Sequence, residues 1–278
     1  MKKLTQDEIP HLLYGTAWKE EETKRLTKLA LTKGFRGIDT ANQRKHYHEA
    51  GVGEAIREAY DEGLVSREEL FLQTKFTYLA GQDHRLPYDK EASFPDQVQQ
   101  SFASSLQHLD TDYLDSYVLH GPSHHKGISR ADREVWATME ELYREGKTRA
   151  LGVSNVSAEQ LQELLDSSEI APLFVQNRCF ARTGWDLQVR QICRNHEIHY
   201  QGFSLLTANY NELQDRTIEA IAKRHQRTIP QIVFRFAIQV GMVPLTGTTS
   251  GEHMRQDLAV LDFELSQEEV RAIEEIGL

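Results

Sequence analysis

The chain has 278 residues, 39% hydrophobic and 27% charged, which excludes a disordered or fibrous protein and suits one large α/β domain or two medium ones. Its 42 acidic and 32 basic residues leave a net charge of −10, which repels a phosphate backbone over most of the surface and argues against nucleic acid as a partner. Two cysteines, Cys179 and Cys193, are too few for a disulfide framework, and no apolar run approaches the roughly 18 residues of a membrane span.

The N-terminal lysines lead into no apolar segment, so no signal peptide is read and a cytoplasmic location is expected. From there, short apolar runs recur at 11–15, 35–38, 70–73, 113–119, 149–153, 173–176, 198–203 and 242–245. Several are β-branched or aromatic, as in strands buried on both faces. Helical patterns separate them: Leu26, Leu29 and Ala30 share one face, as do Val135, Met139 and Leu142, and Leu161, Leu164 and Leu165. Ser157 with Gln160 and Ser266 with Glu269 read as capping boxes, and Pro230 suits the first turn of a helix reaching about Gln239. No linker or repeat divides the chain. The alternation predicts an α/β fold, a single-domain parallel (β/α)8 TIM barrel over residues 1–278. A doubly wound open sheet binding a dinucleotide would show GxGxxG after its first strand, whereas the first run here ends in YGTAW.

Barrel chemistry sits at the C-terminal strand ends. Those ends carry Asp39, Lys75, His120, Ser154 with Asn155, Gln176 with Asn177, Phe203 with Ser204, and the stretch from Thr246 to Thr249. Singly, Asp39 reads as a helix cap, Lys75 as a solvated strand end and His120 as a core histidine. Polar groups at nearly every strand end point to a site. His120, His124 and His125 lack Cys or Glu partners at ligand spacing, and His196 and His199 are one residue too close for HExxH, so no metal is expected.

The segments GFRGIDTA (34–41), HYHEAGVGEAI (46–56), LFLQTKF (70–76), DYLDSYVLHGP (112–122), GKTRALGVSN (146–155) and LFVQN (173–177), in this order, resemble the aldo-keto reductase family. The resemblance implies reduction of aldehydes or ketones with a nicotinamide cofactor, through a tetrad matched here by Asp39, Tyr47, Lys75 and His120. Tyr47 would be the general acid, its pKa lowered from about 10 by the Lys75 ammonium. Asp39 would keep Lys75 protonated, and His120 would donate a hydrogen bond at the carbonyl oxygen. It further implies that Ser154, Asn155 and Gln176 hold the nicotinamide carboxamide, Phe203 stacks on the ring, and Ser204 and Leu205 cover the pyrophosphate.

Three departures qualify the resemblance. Counting back from Glu49 puts His46 at the usual tyrosine position; Tyr47 is assigned because a histidine beside Lys75 would compete with it as a cation. Where the family carries Lys-Ser and then Arg for the 2′-phosphate, this chain has Gly247, Thr248 and His253, followed by Gln256 and Asp257. Thr248, Thr249 and Ser250 can still donate and Arg255 is near enough to swing in, so NADP(H) is expected, with NAD(H) or dual use open. Finally, Gly121 follows His120 where the family often has a bulky aromatic, and the sequence stops at Leu278, so a wide pocket walled by Trp18 and Phe76 is expected. Residues 78–95, with Tyr88 and Phe94, form an insertion expected to fold over the entrance.

Two other readings stay open: a cofactor-binding regulatory subunit of the same fold, and a barrel aldolase or isomerase using Lys75 as a Schiff base. A small carbonyl compound is the expected partner, with the protein a monomer or weak homo-oligomer.

Overall fold

The computed structural model describes residues 4–278. Its strands are β1 (Leu13–Gly15), β2 (Gly37–Asp39), β3 (Phe71–Phe76), β4 (Ser116–Leu119), β5 (Leu151–Ser154), β6 (Phe174–Arg178), β7 (His199–Phe203) and β8 (Met242–Thr246). All neighbours pair in parallel and β8 returns to β1, closing a (β/α)8 barrel in a single domain. Most ladders begin later than the apolar runs, as β1 does at Leu13, and several continue into the polar ends, as β3 does to Phe76. Ladder hydrogen bonds are made by the backbone, so they do not stop where side chains turn polar.

The outer helices are α1 (Thr23–Lys33), α2 (Glu49–Asp61), α3 (Phe94–Leu109), α4 (Arg130–Arg144), α5 (Ala158–Ser167), α6 (Leu187–Asn195), α7 (Arg216–His225) and α8 (Ile229–Gln239). After β8 come α9 (Gly251–Leu258) and α10 (Gln267–Glu274). The expected capping boxes are present at Ser157 and Ser266, and Ser129 and Thr228 form two more. Each spares the first turn two unsatisfied N–H groups and so fixes where the helix starts. The expected helix faces pack on the strands, except that Leu29 and Leu165 are only partly buried. Gly53 lets α2 meet the end of α3: a Cβ there would stand 1.8 Å from the carbonyl oxygen of His108.

Strand alternation sorts side chains between two cores. On β3, Leu72, Thr74 and Phe76 face the helices, while Phe71, Gln73 and Lys75 face the barrel axis. The interior is apolar near its N-terminal end, where Leu13, Phe71, Ala150, Phe174 and Val243 cluster. Above them lies a layer of amides, and above that the polar strand ends. Among the described residues no helix is long and apolar enough to cross a membrane.

Candidate active site

A cavity of about 890 Å³ opens at the C-terminal ends of the strands. Its floor is a buried polar network. Gln73 of β3 donates to Asp39 Oδ1 at 2.7 Å and to Gln201 Oε1 at 2.7 Å, and Gln201 of β7 donates back to Gln73 Oε1 at 3.0 Å. Gln176 of β6 uses Nε2 on both Asp39 Oδ1 and Gln201 Oε1, each at 2.9 Å. Its Oε1 takes no protein partner among the described residues and is open to the cavity. The orientation of this amide is set by the donors and acceptors beneath it.

Asp39 also accepts from Lys75, whose Nζ lies 2.7 Å from each carboxylate oxygen and 2.8 Å from the carbonyl of Thr40. Lys75 is fully buried. Burial pulls its pKa below the ordinary lysine value, and the charge and hydrogen bonds of Asp39 oppose that.

Tyr47 and His120 stand over this pair. Their ring centroids are 5.9 Å apart, edge to face, and Lys75 Nζ is 5.4 Å from the centre of the Tyr47 ring. Among the described residues no protein group takes up the Tyr47 hydroxyl. The expected acidification of this phenol is not found. Burial raises its pKa, and Asp39 raises it further, because the carboxylate that neutralises Lys75 also faces the ring. The His120 imidazole is pushed down to about 3 by burial, then by Lys75 and His46, and is therefore neutral.

Ser154 and Asn155 end β5 as expected. Ser154 Oγ donates to the carbonyl of Gln176 at 2.6 Å, and Asn155, at φ 54°, donates to the carbonyl of His120 at 2.8 Å. Asn177 clamps the next residue, accepting from Val156 N–H at 3.0 Å and donating to its carbonyl at 2.8 Å. Half-buried Phe203, Ser204 and buried Leu205 line the adjoining wall.

The far end is built from the segment after β8. Gly247, Thr248, His253, Gln256 and Asp257 all line the cavity. Asp257 accepts from Thr246 Oγ1 at 2.7 Å, and burial lifts its carboxyl to about 6. Arg255 does not swing in; it pairs with Glu252 on the exposed side of α9.

Trp18 lines the mouth, largely exposed, with its ring centroid 4.0 Å from that of His46. Two other wall residues are not where they were expected. Phe76 faces outward and packs against Tyr78 and Tyr88, because the strand alternation that turns Lys75 inward turns its neighbour out. Gly121 is outside the lining; a Cβ there would meet Asn155 Cβ at 3.5 Å. The insertion, too, contributes nothing to the cavity lining: Tyr88 is buried against Phe76, and Phe94 begins α3 against Tyr78.

Lys19 and Arg178, neither singled out by the sequence pattern, also line the cavity. Lys19 donates to the carbonyl of Gly247 at 2.7 Å, and burial lowers its pKa to about 8. Among the described residues it has no carboxylate partner. Arg178 ends β6 with its guanidinium 5.6 Å from the Phe203 ring centre, also without a carboxylate partner among the described residues. His46 lies on the wall, with Nδ1 3.0 Å from Gln43 Oε1. Lys19 directly follows Trp18, and Arg178 lies two residues past Gln176 on the inward face, so strand-end position and alternation were the signals available.

The sequence profile of the Aldo/keto reductase family matches residues 11–277. An uncharacterized oxidoreductase of Bacillus subtilis (strain 168), YtbE, is 32% identical over 97% of this chain and 90% of its own length. The glyoxal reductase of the same organism is 31% identical over 92% of this chain and 84% of its own. Among solved structures, a Bombyx mori aldo-keto reductase in complex with NADP superposes with a TM-score of 0.82 at 28% identity, covering 96% of this chain and 89% of that one. With a profile matched almost end to end and a closed eight-stranded parallel barrel, the chain belongs to the aldo/keto reductase family.

Proposed function

We propose that this protein reduces aldehydes or ketones to alcohols with NADPH, Tyr47 acting as the general acid. The observation that carries the reading is the convergence of Tyr47 and His120 over the buried Lys75–Asp39 pair at the floor of one large cavity. The residues present fit a nicotinamide dinucleotide. Gln176 Oε1 is an open acceptor, Lys19 is an ammonium with no carboxylate partner among the described residues, and the cavity of about 890 Å³ is near the upper end of the range usual for cofactor sites.

When bound, NADPH supplies the hydride that reaches the carbonyl carbon. The carbonyl oxygen gains negative charge as that bond forms, and Tyr47 O–H transfers its proton to it, so ketone or aldehyde, hydride and proton balance as an alcohol. A raised pKa keeps the phenol protonated in the ground state, ready to donate. Neutral His120 offers a ring N–H to the same oxygen. Lys75 and Asp39 hold a fixed dipole beneath the phenol and replenish no proton themselves.

Ser154, Asn155 and Gln176 would hold the carboxamide, Gln176 Oε1 offering it an acceptor. Phe203 would carry the ring, and Ser204, Leu205 and Lys19 would meet the diphosphate. Thr248, Ser250 and the N-terminus of α9 would receive the adenosine end with its 2′-phosphate, beside Gln256 and Asp257. Trp18 and His46 form the apolar and aromatic rim met by the substrate.

The Schiff-base alternative is disfavoured by Lys75 itself, since its amine is wholly buried and engaged by three oxygens, with no lone pair free to attack a carbonyl. The decisive experiment is a titration with NADPH and NADH followed by steady-state reduction of 4-nitrobenzaldehyde. Turnover with tighter NADPH binding is expected. Binding without turnover of any reactive carbonyl would favour the regulatory-subunit reading, and equal affinities would remove the NADP preference.

A further inference from the structure

The sequence pattern makes the insertion after β3 look like a lid, yet its contacts run elsewhere. Thr77, the first residue beyond β3, is buried, and its Oγ1 lies 2.7 Å from His120 Nδ1. Its carbonyl accepts from the Tyr88 hydroxyl at 2.7 Å and from Gln82 Nε2 at 3.3 Å. Gln82 Nε2 also donates to the carbonyl of Asn42 at 2.9 Å, and Gln43 Nε2 donates to the carbonyl of Gly81 at 2.6 Å. The insertion thus pins both the end of β3 and the loop that carries Tyr47, from outside the cavity.

A neutral imidazole has one N–H and one bare nitrogen, and the partner of either nitrogen selects which is which. The Thr77 hydroxyl has a proton to place, and the only acceptor within its reach among the described residues is His120 Nδ1. If Nδ1 carried the proton instead, the hydroxyl hydrogen would point at no acceptor in a buried place, which disfavours that tautomer. The remaining nitrogen, Nε2, then carries the N–H and has no partner among the described residues.

We infer that Thr77, braced by Tyr88 and Gln82 of the insertion, is a positioning residue that holds His120 in the Nε2–H form, so that the imidazole presents a donor to the substrate oxygen. The inference rests on the reductase reading for its purpose, though not for its observable. With Nδ1 protonated, Nε2 would aim a lone pair at an oxygen that is gaining charge, which is repulsive. Thr77 acts only through His120 and meets no reacting atom.

The test uses the full chain with NADP⁺ bound. Long-range proton–nitrogen NMR of the histidines, assigned with His120→Asn, reads the protonation of each His120 nitrogen. The wild type is expected to show Nδ1 bare and Nε2 protonated. Thr77→Val, which keeps the shape and removes the hydroxyl, should mix the two tautomers and lower kcat on 4-nitrobenzaldehyde about tenfold to a hundredfold, less than loss of a direct oxyanion donor. NADPH affinity should stay within about twofold, and Thr77→Ser should restore both tautomer and kcat.

A wild-type His120 protonated at Nδ1 overturns the inference, and that reading stands even where the valine variant does not fold. So does a Thr77→Val enzyme whose kcat falls while its tautomer is unchanged, since the threonine would then serve packing alone. If the wild type shows Nε2–H but turns over no carbonyl compound, the tautomer assignment holds and the reductase reading fails instead.

Discussion

The Lys75 ammonium donates to both carboxylate oxygens of Asp39 at 2.7 Å and stands 5.4 Å from the centre of the Tyr47 ring. At the phenol the carboxylate prevails, adding to burial in raising the Tyr47 pKa. Tyr47 therefore stays a neutral donor across the physiological range, with burial opposing any phenolate. In the proposed reduction its proton leaves only when an oxygen nearby becomes strongly basic.

Tyr47→Phe should lower kcat for carbonyl reduction by about 10²- to 10⁴-fold, the usual contribution of a general acid, while NADPH still quenches protein fluorescence. His46→Phe should leave kcat within about tenfold, since His46 stacks on Trp18 at the mouth rather than over Lys75. Steady-state kinetics of both variants decide between them. Reversed effects would move the acid role to His46.

Removing the charge partner exposes what Asp39 does for the fold. Asp39→Asn leaves Lys75 buried without a counter-charge and should cost about 3–5 kcal/mol in urea unfolding. A loss under about 1 kcal/mol would mean that water or a neutral lysine replaces the pair at little expense.

Lys19 is predicted to make cofactor affinity pH-dependent. With its pKa lowered to about 8 by burial, the ammonium begins to lose its proton as pH rises past that value. A bound diphosphate favours the charged form, so NADPH affinity should fall between about pH 8 and 10. Lys19→Met should bind NADPH more weakly at pH 7 and lose that dependence. Calorimetric titrations at several pH values would test this; an unchanged slope in the variant would sink the assignment.

Between α2 and α3, His108 Nδ1 lies 2.8 Å from Glu49 Oε2, with Glu49 buried and His108 partly exposed. Glu49 raises the His108 pKa through this contact. A histidine raised on folding adds stability that is complete below its unfolded value of about 6.5 and is lost as pH climbs through the folded one. The gap in unfolding midpoint between wild type and His108→Gln should thus be largest near pH 6 and small by pH 9. A gap that grows with pH would contradict the sign.

The strands, the capped helices and most of the site were legible because they depend on short-range rules. Alternation, cap spacing and the position of polar residues at the ends of apolar runs are local properties, and they located Asp39, Lys75, His120, Ser154 and Gln176. The same alternation, carried one residue further along β3, turns Phe76 outward, so its place among the helices was equally a matter of local pattern.

Tertiary structure decided what depends on partners far apart in sequence. The orientation of Gln176 is set by residues on β2 and β7, the raised pKa of Tyr47 by burial and by Asp39, and the place of Lys19 by the carbonyl of Gly247. The insertion is the clearest case. Its aromatic residues suit a lid or a brace equally, and only the closing of the chain brought Tyr88 and Gln82 to the carbonyl of Thr77. Periodicity says which way a side chain points; which partner it meets is settled when the barrel shuts and the surrounding water is expelled.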